Sequence, residues 1–99
     1  MYVHTQSYVE AAKWFALAAN QGYVAAQIDL GIMYQDGQGV AQNYVTALMW
    51  FEIAITQKSR NARRAVEYHY LLAQKMTKAQ IGAAEKLARK WKPTTKRAP

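Results

Sequence analysis

The side chains able to do chemistry are few in this sequence, and their spacing does not assemble them. His4 and His69 lie far apart, and neither has an acid or a cysteine at helical spacing that would complete a metal site. The chain has no cysteine, which removes disulfides, thiolate zinc sites and cysteine nucleophiles. The carboxylates Glu10, Asp29, Asp36 and Glu52 do not pair at i, i+3 or i, i+4, so a glycosidase-type couple is not formed. Ser7 and Ser59 read as helix starts rather than nucleophiles. Gly37-Gln38-Gly39 has no strand before it and no lysine after it, as a phosphate cradle would require. The expectation is a protein with no catalytic residues, no metal and no cofactor.

Charge offers a second kind of chemistry, ion pairing with a partner. The net charge is +7, and it is unevenly distributed. Residues 1–57 hold one base, Lys13, against four acids; residues 58–99 hold twelve bases against Glu67 and Glu85. The basic half favours an acidic protein, a nucleic acid or an anionic membrane surface as partner. Arg60, Arg63, Arg64, Lys75 and Lys78 cluster near one predicted helix, and Lys86, Arg89, Lys90, Lys92, Lys96 and Arg97 follow. Trp91 between Lys90 and Lys92 has the look of an aromatic–basic nucleic-acid patch, but it also fits an apolar helical stripe.

The elements that must position these groups are helices. Set against itself at an offset of 36, the chain matches Tyr8, Val9, Ala11, Trp14, Phe15, Ala18 and Gln21 to Tyr44, Val45, Ala47, Trp50, Phe51, Ala54 and Gln57. A period of that length signals stacked supersecondary units. Each copy has its apolar residues at helical spacing. Ser7 with Glu10 predicts a helix start near Tyr8, Asn43 an N-cap, and Gly22 a stop. Further helices are predicted near 23–35, 61–75 and 78–91. Gly37 and Gly39 turn the chain after the first of these, and Thr77 with Gln80 caps the last. Pro93 ends it, leaving 93–99 as a disordered basic tail. The class is all-α, a single domain of about five helices in antiparallel hairpins. No apolar run reaches the roughly 18 residues that would cross a bilayer.

The stretch Ala26-Gln27, Leu30-Gly31, Met33-Tyr34, Gly37, Gly39-Val40 resembles the first half of a Sel-one-like repeat, and Tyr44, Ala47, Trp50-Phe51, Ala54 its second half. The resemblance implies the tetratricopeptide superfamily and a short right-handed α/α solenoid. It implies a truncated repeat at 8–22, a complete one at 24–57, and a degenerate repeat plus capping helix at 61–91. Physical roles for the same residues are packing roles: the alanines allow close helix approach, and Trp14, Phe15, Trp50 and Phe51 fill the space between hairpins. Gly31 permits a tight helix crossing.

Solenoids of that kind line their concave face with the first helix of each pair. On the helix near 23–35, Ile28, Ile32 and Gln35 lie away from the Leu30 stripe, and the 36-residue offset carries them to Arg64, Tyr68 and Leu71. These residues either pack on a neighbouring hairpin or form a groove. In the groove reading, Ile28, Ile32 and Tyr68 supply apolar contact, Arg64 grips an acidic group, and Gln35 completes the protein-binding set. The expected function is a non-catalytic scaffold for a protein or peptide, with a basic nucleic-acid-binding adaptor using 58–97 as the alternative. No membrane insertion is expected, and Met1–Ser7 lacks a signal pattern. The unpartnered first helix reads either as an edge for self-association or as a cut through a longer array, and it predicts modest stability for the monomer.

Overall fold

The computed structural model describes residues 4–94, with side chains from Ser7 onward. Five helices follow one another: α1 His4–Asn20, α2 Val24–Asp36, α3 Tyr44–Thr56, α4 Ala62–Ala73 and α5 Lys78–Lys90. Among the described residues no helix is long and apolar enough to cross a membrane.

The helix ends follow local chemistry. Gly22 takes φ 101°, and the amide of Tyr23 reaches back to the Ala18 carbonyl while that of Gly22 reaches Ala19. Such a left-handed terminator satisfies the last carbonyls of α1 and is open to glycine at little steric cost. Gly37 ends α2 the same way, its φ at 71°. Asn43 Oδ1 accepts from the Thr46 amide at 3.0 Å and starts α3. Thr77 and Gln80 form the reciprocal capping box that starts α5, at 3.1 and 2.9 Å. One boundary departs from expectation. α1 begins at His4, so Ser7 and Glu10 lie inside the helix rather than at its mouth. Nothing in Thr5-Gln6-Ser7 breaks a helix, and a capping-box spacing marks a start only where the preceding residues cannot continue it.

α3 is the centre of the packing. It lies against α2, α4 and α5, and it buries Ala47, Leu48, Trp50, Phe51, Ile53 and Ala54. One cluster joins Ala47, Leu48, Phe51 and Ala54 to Ile28, Ala65, Leu72 and Ala84; a second joins Trp50 and Ile53 to Ala19, Ala26 and Leu30. Gly31 is where α2 and α3 come closest: a methyl group there would fall 2.5 Å from Phe51 Cε1. α1 packs on α2, and α2 also touches α4 along one side.

The two tryptophans of the repeat part company. Trp50 is 5% exposed, whereas Trp14 is 68% exposed and does not fill an inter-hairpin space. Trp50 is covered by Ala19 of α1, by Ala26 and Leu30 of α2, and by Trp91 beyond α5. The C-terminal end differs too. α5 packs on α3 rather than on its sequence neighbour α4. Trp91 meets Trp50 edge to face at 6.1 Å and donates from Nε1 to Asn20 Oδ1 at 3.1 Å. The Thr94 amide and hydroxyl both donate to the Asn20 carbonyl, at 2.7 and 3.2 Å. The segment expected to fray from Pro93 is therefore tied down at Thr94, because it caps the end of α1. Residues 95–99, and with them Lys96 and Arg97 of the expected basic tail, lie outside the described residues.

Candidate functional site

α2 and α4, the two helices expected to line the binding face, lie side by side. The structure sorts the five residues read from the sequence into different environments. Ile28 is fully buried and belongs to the α3-centred core. It is a packing residue: α3 and α4 close over the side of α2 that carries it, and a buried isoleucine offers no surface to a partner. Ile32 is half-buried and packs against the same core. Gln35 is drawn into the α2–α3 loop, where its carbonyl accepts from Gln42 Nε2 at 2.9 Å and its amide donates to Asp36 Oδ1 at 3.4 Å.

Arg64 and Tyr68 are brought together. One turn apart on α4, they stack with the guanidinium carbon 6.0 Å from the ring centroid. The Tyr68 ring also stacks on Phe51, with centroids 5.5 Å apart and planes 21° from parallel. Phe51 is fully buried, so the Tyr68 ring rests on the core, and the exposed Arg64 guanidinium lies within cation–π reach of that ring. Arg64, Glu67, Tyr68 and Leu71 line a cavity of about 250 Å³. Leu71 is 54% exposed there, an apolar side chain left at the surface beside a charged one.

A close approach that sequence reasoning missed lies between α4 and α3. His69 Nε2 lies 2.7 Å from Glu52 Oε1, between α4 and α3. The two residues have no local spacing that links them, so only the hairpin's closure reveals the pair. Every described lysine and arginine from Lys58 to Lys92 is exposed. Trp91 is engaged by Trp50 and Asn20, which makes it part of the apolar stripe and removes it as a base-stacking platform.

The geometry of two hairpins around a central α3 matches a family. The Sel1 repeat model matches residues 4–23, 24–59 and 55–75. The chain belongs to the Sel1 repeat family. Among solved structures, its fold is similar to that of a protective antigen present in uropathogenic Escherichia coli strains displaying an SLR fold, with a TM-score of 0.79 and 36% identity over 85% of this chain. The chain spans 18% of that antigen's length. No curated protein matches it. The Sel1 repeat is in general a protein–protein interaction scaffold, so protein partners are the class its fold supports. In this Sel1 repeat chain, α2 with α3 forms the complete central unit, and α4 falls within the third match.

Proposed function

We propose that this Sel1 repeat chain is a non-catalytic scaffold that binds a peptide or partner domain on the α2–α4 face, its concave side, with Arg64 and Tyr68 as the anchor. The observation that carries this reading is the Arg64–Tyr68–Phe51 stack. Long arginine side chains lose conformational freedom on binding, and that loss costs affinity. Here the guanidinium carbon lies 6.0 Å from the centroid of a ring that is itself stacked on the core. It has no ion pair among the described residues, so its donors are available to a carboxylate. Leu71 beside it supplies apolar contact of the sort that surrounds interface anchors.

The partner is then a segment with an acidic group next to an apolar residue. Selection from a displayed random-peptide library on the immobilised chain tests this. Enriched sequences are expected to share an acidic–apolar motif and to lose about tenfold or more in affinity for Arg64→Glu, the scale of a lost charge-assisted hydrogen bond. A motif whose binding ignores both Arg64→Glu and Tyr68→Ala would overturn the assignment. Capture of oligonucleotides that vanishes at high salt would favour the basic surface of 58–92 as a nucleic-acid adaptor instead.

A further inference from the structure

The two copies of the repeat differ at the junction where one hairpin meets the next. Tyr8, Ala11 and Phe15 of α1 line a groove with α2; thirty-six residues on stand Tyr44, Ala47 and Phe51 of α3, of which Ala47 and Phe51 share a core cluster with Ala65 of α4. At the α3–α4 junction the space is filled: Tyr68 stacks on Phe51, and Ala65 is fully buried. At the α1–α2 junction the equivalent positions are Ile32 and Asp29. An open groove of about 320 Å³ lies there, lined by Tyr8, Ala11 and Phe15 of α1, by Asp29, Ile32 and Met33 of α2, and by Gln38. That space is of side-chain size.

Asp29 gives the cavity its chemistry. The carboxylate is half-buried, and among the described residues it has neither an ion pair nor a hydrogen-bond donor. A carboxylate with two aromatic side chains and apolar walls suits a cation on an apolar stem. The carboxylate attracts the charge, ring faces attract it further, and the walls cover the methylenes. One carboxylate supplies too few oxygens for a metal ion, which takes six or more for calcium. A planar guanidinium meets both the carboxylate and a ring face better than an ammonium does.

We infer that the Asp29 cavity between α1 and α2 is a receptor for an arginine side chain of the bound partner. The inference extends the proposed peptide-binding face and rests on that reading for the source of the arginine. Ile32 and Tyr68 hold the same repeat position, and they line the Asp29 groove and the Arg64 cavity respectively. The partner would then carry an arginine toward α1–α2 and an acidic group toward Arg64. Opposite charges at the two ends fix the direction in which a segment lies.

The test uses the whole chain and small probes. N-acetyl-arginine amide is titrated against protein labelled at the Ile δ1, Leu and Met ε methyls, with N-acetyl-norleucine amide as the uncharged control. The expected result is a saturable shift at Ile32 and Met33 with the arginine probe, about fivefold or more weaker with norleucine amide and with Asp29→Asn. Equal response to both probes, or no loss in Asp29→Asn, would overturn the inference. The norleucine comparison needs no variant, so it stands even if the substitution disturbs folding. N-acetyl-glutamate amide in the same experiment reports on the Arg64 end through Leu71. Failure of that probe with success of the arginine probe would count against the Arg64 assignment alone.

Discussion

The sharpest check of the packing is a pair of identical substitutions, Gly31→Ala and Gly82→Ala. Both glycines lie inside helices, α2 and α5, where alanine is favoured over glycine by about 1 kcal/mol. Their surroundings differ completely. A Cβ at Gly82 meets nothing within 4 Å, so the full gain should appear. A Cβ at Gly31 falls 2.5 Å from Phe51 Cε1 and 2.9 Å from Cδ1. The shorter approach is about 1 Å inside the ~3.5 Å optimum for two carbons. Phe51 has no room to withdraw, being fully buried and stacked on Tyr68. Overpacking of this kind costs about 1–3 kcal/mol, which offsets or exceeds the helical gain. Gly82→Ala is therefore expected to stabilise by about 1 kcal/mol, raising Tm by roughly 4–8 °C. Gly31→Ala should be neutral or destabilised by up to about 2 kcal/mol. Urea unfolding followed by circular dichroism at 222 nm gives both values, with equal m showing that the unfolded state is unchanged. If Gly31→Ala stabilises as much as Gly82→Ala, the α2–α3 approach described here is wrong.

Two further outcomes follow from the same packing. Trp91→Ala removes the edge-to-face contact with Trp50 and the bond to Asn20, and should cost about 2–4 kcal/mol. Trp91→Phe keeps most of the apolar contact and should cost about 1 kcal/mol, and a melt in which the two variants coincide would show that the C-terminal staple is not holding α5. The repeat-equivalent tryptophans should respond in opposite ways: Trp14→Ala should change stability by less than about 0.5 kcal/mol, while Trp50→Ala should lose about 3–5 kcal/mol. Equal losses in the unfolding midpoints would mean that Trp14 is covered in solution.

What the sequence determined by itself is everything written in short-range spacing. The 36-residue match from Tyr8 to Gln57 and the Leu30-Gly31 to Val40 pattern carried the repeat family and the helical class. Asn43, Thr77 with Gln80, Gly22 and Gly37 marked ends within a residue or two, because caps and left-handed stops are built from neighbours along the chain. Ser7 misled because a cap also depends on the preceding residues failing to continue the helix. The tertiary structure alone decided which apolar faces are covered. Ile28 and Ile32 differ by one helical turn, yet the first is core and the second borders a cavity. Trp14 and Trp50 are the same residue at the same repeat position, yet one is exposed and one buried. The Glu52–His69 contact and the Trp91–Asn20 bond join residues that no local pattern relates. Spacing fixes which way a side chain leaves its own helix; burial is set by what the rest of the chain brings against it, and that is a property of the assembled hairpins.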